Sequence, residues 1–113
     1  LLTLREARCQ FTALLPGLIQ QAHNLGLECA AGEIQRDPRV AALNAQTGAG
    51  IRNSVHLQGL AIDLHLYREG KYLSQTSDHA ELGAWWEQQH PLARWGGRFG
   101  DGNHYSFEWQ GRK

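Results

Sequence analysis

Apolar residues recur at three- and four-residue steps through the first quarter of the chain. Phe11, Leu14, Leu15, Leu18, Ile19, Ala22 and Leu25 fall on one face, which predicts a helix over residues 3–25. Thr3 suits its N-cap, with Glu6 three residues on completing a capping box. Gly26 suits its end, where a residue tolerant of positive φ is wanted. Pro16 conflicts with this pattern, because proline inside a helix costs about 3 kcal/mol. Two helices joined near Pro16 and one kinked helix both fit. The rhythm then changes. Residues 27–35 alternate loosely and read as a strand. Asp37-Pro38 supplies an N-cap and a first helical residue, opening a short helix with Val40, Ala41, Leu43 and Ala45 that ends by Gly48; residues 48–50 are loop. Residues 60–67, LAIDLHLY, form a strand; Glu69-Gly70 is a turn, and residues 71–73 return as a hairpin. Ser77 and Asp78 cap a helix running to about Gln89, with Leu82, Trp85 and Trp86 as its apolar part and Pro91 as its stop. Gly96, Gly97, Gly100 and Gly102 break up the next stretch, and residues 104–109, HYSFEW, make the last strand. Helices flanking a small, mainly antiparallel sheet give an α+β class.

At 113 residues the chain reads as one domain, 1–113. Eleven basic residues balance eleven acidic ones. That zero net charge argues against nucleic-acid binding driven by phosphate neutralisation and against an interfacial basic helix. No apolar run reaches the roughly 18 residues of a membrane span, so no membrane insertion is expected, and a monomer is. The start, LLTLREARCQF, lacks the order of basic segment, long apolar run and small-residue cleavage site. Either the protein is not exported by that route or its leader has already been removed; a protein made in the cytoplasm is expected, reaching its place of action by another route. Cys9 and Cys29 do not form a CxxC pair, so a thiolate zinc site is not expected. Both read as buried small apolar residues, with a disulfide between them left open.

The chemistry concentrates in two segments. In SVHLQGLAIDL, residues 54–64, His56 and Asp63 are separated by a stretch containing Gly59, which lets the chain turn closely. Strand alternation turns Asp63 away from the face carrying Ile62 and Leu64. A carboxylate among Ala61, Ile62, Leu64 and Leu66 needs a partner: a metal ion, an arginine or backbone donors. The second segment, DGNH, brings Asp101 and His104 beside aromatic residues. Two imidazoles and a carboxylate make a three-ligand set that suits a catalytic Zn²⁺ with one open position. Asp101, next to the third ligand, stands where a metal-assisted hydrolase wants a base. Taken singly, His104 reads as a surface or half-buried histidine and Asp101 as a turn residue.

SVHLQGLAIDL resembles the SxHxxGxAxD signature of the zinc D-alanyl-D-alanine carboxypeptidase and L-alanyl-D-glutamate endopeptidase family, which includes VanY-like enzymes and phage endolysin peptidases. WGGRFGDGNHYSFEW, residues 95–109, resembles that family's second block, a WGG followed by an acidic residue, two spacers and a zinc-binding histidine. The resemblance runs from about Ile34 to Trp109. It implies the fold shared by the D-Ala-D-Ala peptidases and hedgehog signalling domains. It also implies that His56, Asp63 and His104 bind Zn²⁺, that Asp101 is the general base, and that Ser54 helps hold substrate. EIQRDPR resembles the family strand that ends in an arginine, so Arg36 is matched to a residue contacting the substrate carbonyl or carboxylate. Glu33-Ile34-Gln35 replaces the usual Ser-Gly-Tyr there, and Arg39 and Arg52 compete for the role.

The implied substrate is a peptidoglycan stem peptide. Asp at position 101 and the small size favour cleavage of the L-alanyl-D-glutamate bond, as in a phage or prophage endolysin acting at the bacterial cell wall. D-alanyl-D-alanine carboxypeptidase activity is the alternative, and a non-catalytic zinc-binding module of the same fold is the competitor from another class. Among the other histidines, His65 shares the sheet face of Asp63 and is the rival ligand. His79, in the first turn of a helix where a cation is disfavoured, reads as exposed; His23 and His90 lie near helix C-termini, where the dipole accounts for them. Of the adjacent Trp85 and Trp86, one belongs to the core. Trp95 and Trp109 are expected to wall the zinc cleft.

Overall fold

A computed structural model describes residues 1–32 and 55–113, with Leu57 described in its backbone alone. The expected helix over residues 38–45, the loop at 48–50, and Arg36, Arg39, Arg52 and Ser54 lie outside the described residues.

One unbroken helix, α1, spans Leu4–Asn24. Thr3 Oγ1 accepts from the Glu6 amide at 3.1 Å, and Glu6 Oε1 accepts from the Thr3 amide at 2.9 Å. Both halves of the capping box are therefore made. Pro16 stays inside the helix. It lies on the exposed side, as does Thr12 four residues earlier, so water can reach the carbonyl that proline leaves without its amide partner. Ala7, Phe11, Leu18 and Ala22 form the fully buried stripe; Ile19, expected on that face, is exposed. Gly26, at φ +79°, turns the chain out of the helix.

The strands are β1 (Glu28–Ala31), β2 (Ala61–Arg68), β3 (Lys71–Tyr72), β4 (Ala93–Trp95) and β5 (His104–Phe107). Their order is β1-β2-β5-β4, with β3 paired to β2 beyond that path, and every described pairing is antiparallel. A second helix, α2, covers Ala80–Glu87. The architecture is thus a small α+β one, with an antiparallel sheet and two helices among the described residues. In β2, Ile62, Leu64 and Leu66 are buried while Asp63, His65 and Tyr67 are half-buried on the opposite face. The first set joins Phe11, Leu18, Trp86, Tyr105 and Phe107 in one core. Phe11 meets Trp86 and Phe107 edge-on, at 5.9 and 5.4 Å between ring centres.

Several elements differ from the sequence expectations. The segment expected to open a helix at Ser77 is a single 3₁₀ turn, Thr76–His79, stabilised by a Gln75 amide bond to Asp78 Oδ2 of 3.0 Å. β4 was not anticipated, and a further 3₁₀ turn, Gly96–Phe99, follows it. The last strand ends at Phe107 rather than Trp109. Cys9 and Cys29 are both free; Cys9 is exposed rather than buried, and Cys29 is half-buried.

Candidate metal centre

Strand register assembles the centre. β2 and β5 pair with Asp63 directly opposite His104. Residues opposite one another share a sheet face with their Cβ atoms about 4.5–5.5 Å apart. Both side chains therefore project from the face away from the core. His56 arrives from a 3₁₀ turn, Val55–Gln58, just before β2. Gly59, at φ +71°, reverses the chain there. The Gly59 amide donates to the His56 carbonyl at 3.2 Å and the Leu60 amide to the Val55 carbonyl at 3.1 Å. The turn folds the imidazole back over the start of the strand, where it is almost fully buried.

His56 Nε2 lies 3.1 Å from Asp63 Oδ1, and His104 Nδ1 lies 3.7 Å from the same oxygen. One donor atom from each of the three residues lies within 4.8 Å of the other two. Ligands about 2.0–2.1 Å from a tetrahedral ion are about 3.3 Å apart, so the two closest separations fit such an ion. The two rings stand edge to face, 5.2 Å between centres. Burial alone would raise the Asp63 carboxyl. Hydrogen bonding with His104 and His56 and the charge of both rings more than offset it and hold Asp63 well below the usual carboxylate range. Asp63 is an anion at any ordinary pH.

The hydrogen bond on the far side of His104 decides what its near side offers. Nε2 lies 2.6 Å from the main-chain oxygen of Lys113. That oxygen only accepts, so Nε2 carries the hydrogen. In a neutral ring, Nδ1 then directs a lone pair at Asp63 Oδ1 and at Asp101 Oδ2, the latter 3.9 Å away. A lone pair facing two anionic oxygens calls for a cation between them, either a proton on the ring or a metal ion. Two nitrogen donors and a carboxylate match the chemistry of zinc. The residues present therefore fit the ion.

Asp101 differs from Asp63 in its surroundings. Its side chain is 53% exposed, against 23% for Asp63. The loop that holds it is set by close packing. Gly100, at φ +83°, ends the 3₁₀ turn Gly96–Phe99, and the Asp101 amide returns to the Gly96 carbonyl at 2.9 Å. Trp95, nearly buried, lies beneath this loop. Its indole donates to the Gly102 carbonyl at 2.7 Å, and its ring occupies the space that side chains at Gly83 and Gly97 would need. Arg98, 5.6 Å over the Trp95 ring, bonds Glu87 Oε1 at 2.7 Å. Asp101 also borders a polar cleft of about 200 Å³, between residues 72–76 and 100–103, with His79 in its wall.

His56, Asp63, His104 and Asp101 thus converge. Ser54 and Arg36 lie outside the described residues. His65 shares the face of Asp63 but stands apart from the cluster, with its ring 6.1 Å from that of Tyr72. His79 is buried, not exposed as its position in a first turn suggested: its Nδ1 is 2.8 Å from the Tyr105 hydroxyl. His90 makes contacts beyond the helix end. It stacks on Phe107 at 4.5 Å, and its Nδ1 accepts from the Leu92 amide at 3.0 Å. Trp86, not Trp85, is the core tryptophan. Trp109 lines an apolar groove with Leu1, Leu2, Pro91 and Leu92, whose lining includes none of the four converging residues. Sequence reasoning missed the Lys113 contact and Ser106, although strand alternation alone puts Ser106 on the face of His104.

No family model matches the chain, and no curated protein matches it. Among solved structures it is similar to the L-Ala D-Glu endopeptidase ChiX of Serratia marcescens, at 19% identity and a TM-score of 0.67. The likeness covers 83% of this chain and 77% of that one. At that identity the shared property is the fold.

Proposed function

We propose that the protein is a zinc-dependent peptidase acting on peptidoglycan stem peptides, and that it cleaves the L-alanyl-D-glutamate bond. The observation that carries this reading is the convergence of His56, Asp63 and His104 beside the exposed carboxylate of Asp101. The fold likeness to an L-Ala D-Glu endopeptidase supports the choice of substrate and bond. The motif resemblance in residues 54–64 and 95–109 supports the same assignment. The reading takes residues 1–113 as one peptidase domain that works at the bacterial cell wall.

His56, Asp63 and His104 would hold a zinc ion, which would supply Lewis acidity at the scissile carbonyl and lower the pKa of water from about 16 toward 7. The chain's own residues do the rest. Asp63, kept anionic and half-buried, offsets the ion's charge. Asp101 faces solvent, so it can take a proton from the attacking water and return it to the amine nitrogen as the carbon–nitrogen bond breaks. The water oxygen becomes part of the new carboxyl group. Arg36 is proposed to bind the substrate carbonyl or carboxylate and Ser54 to hold the peptide, both on motif resemblance.

The test is digestion of purified peptidoglycan with and without chelator, the released fragments identified by mass spectrometry. Asp101→Ala should retain stoichiometric zinc and lose turnover by roughly 10²–10⁴-fold. His56→Ala should lose the metal. Fragments ending in L-alanine establish the bond, and release of D-alanine alone would point to the carboxypeptidase activity. A protein that binds zinc but releases nothing would reject the enzyme reading, and full activity in Asp101→Ala would reject the base.

A further inference from the structure

Resting on the metal-centre reading, we propose that the turn at Gln110 and Gly111 is a positioning element for His104. It carries the main-chain oxygen of Lys113 to the far side of the imidazole and so keeps Nδ1 presented to the metal.

After Phe107 the chain folds back on itself. The Trp109 amide donates to the Arg112 carbonyl at 2.8 Å, and the Arg112 amide donates to the Trp109 carbonyl at 2.9 Å. The two residues between them both have positive φ, +50° at Gln110 and +78° at Gly111. Two left-handed central residues make the tight hairpin turn whose twist matches an antiparallel pair. The reversal delivers the Lys113 oxygen to two side chains on one face of β5. It accepts from His104 Nε2 at 2.6 Å and from Ser106 Oγ at 2.5 Å. Ser106 is fully buried, and alternation along β5 puts it two residues from His104 on the same side. Ser106 thus steadies the oxygen and the oxygen steadies the ring. A free imidazole exchanges its proton between two nitrogens; this one is locked with its hydrogen outward and its lone pair inward. A ligating histidine whose second nitrogen donates to an oxygen is oriented and made more basic, and losing such a partner costs about 10–100-fold in metal affinity.

Gly111 offers a clean test, because a Cβ added there meets nothing within 4 Å. A substitution at this position acts through backbone conformation alone. Gly111→Val disfavours positive φ, whereas Gly111→Asn tolerates it. Zinc affinity of the whole protein would be measured by competition with a chromophoric chelator. The His104 tautomer would be read from ¹⁵N chemical shifts of the metal-free protein. The expected result is a 10–100-fold loss of zinc affinity in Gly111→Val with mixed tautomers at His104. Gly111→Asn should stay within about threefold of wild type and keep the hydrogen on Nε2. A folded Gly111→Val with wild-type affinity and tautomer would overturn the proposal. Should that variant not fold, Ser106→Ala carries the test, since it removes the second donor to the same oxygen; unchanged affinity and tautomer there would overturn it equally. A wild-type protein that binds no zinc would instead reject the metal-centre reading, while the tautomer of the metal-free protein still reports on the hydrogen bond.

Discussion

Gly96→Ala should damage the centre without replacing any of its residues. A Cβ at position 96 would lie 2.6 Å from His104 Cβ and would be driven into the main-chain oxygen of Asp101. Carbon atoms rest about 3.5–4.0 Å apart, so the loop or the strand must retreat by about 1 Å. Neither neighbour is the tip of a flexible side chain, so the strain falls on backbone. Overpacking of this kind costs about 1–3 kcal/mol. At about 4 °C per kcal/mol for a domain of this size, Tm should fall by roughly 4–12 °C. The functional loss should be larger. Moving a reacting group by about 1 Å can cost roughly 10²-fold in rate, and here the proposed base moves relative to a proposed metal ligand. The assays are thermal unfolding by circular dichroism and hydrolysis of defined muropeptides below the variant's Tm. Gly70→Ala is the control: its φ is positive, at +78°, unlike that of Gly96, nothing lies within 4 Å of a Cβ there, and it sits in the β2–β3 turn. It should cost about 1 kcal/mol from left-handed strain and leave turnover unchanged. A Gly96→Ala protein with wild-type Tm and wild-type turnover would refute the argument that this close approach sets the Asp101 loop.

Trp86→Phe should destabilise by about 2–4 kcal/mol, because it removes the buried indole that donates to the carbonyls of Arg94 at 3.1 Å and Ser106 at 3.2 Å and also leaves a void. Urea unfolding measures this, and a loss below about 1 kcal/mol would contradict it. Burial lowers the His79 pKa from its ordinary 6.5, opposed by Asp78 and helped by His65. On acidification the unfolded chain therefore takes up this proton first. The contribution to stability is intact at neutral pH and is lost as pH falls through about 6.5 toward the lower folded value. His79→Gln should flatten that part of the Tm–pH curve, and superimposable curves for the two proteins would count against it. His90, also lowered by burial, remains in both proteins and cancels in the comparison.

Local signals carried α1, the β2–β3 hairpin and the core of β5, because each rests on periodicity or turn chemistry within a few residues. Thr3 and Glu6 spell a capping box, and the box forms. The centre was legible for a related reason: alternation in LAIDLHLY fixes the face of Asp63, and Gly59 permits the reversal that returns His56. What stayed hidden depends on contacts between distant segments. β4 has three residues between a proline and a glycine pair, too few for any period, and exists because β5 offers it a partner. His79 looked exposed from its place in a turn; its burial comes from Tyr105, which no local rule connects to it. Trp109 looked like a cleft wall because it is near His104 in sequence, yet it lines a separate apolar groove with Leu1, Leu2, Pro91 and Leu92. That Pro16 leaves α1 unbroken reflects which side of the helix faces water, a tertiary property.

On the proposed metal reading, the opposition of Asp63 and His104 across β2 and β5 has a consequence for how the molecule matures. Slipping one strand by a single residue turns one of the two side chains to the other face. A mispaired sheet would therefore hold an incomplete coordination set and bind the ion weakly. Because a bound ion stabilises only the form that binds it, by RT ln(1 + [L]/Kd), zinc would act as an inspector of alignment. It would withdraw correctly zipped chains from the folding ensemble and leave misregistered ones to unravel and try again.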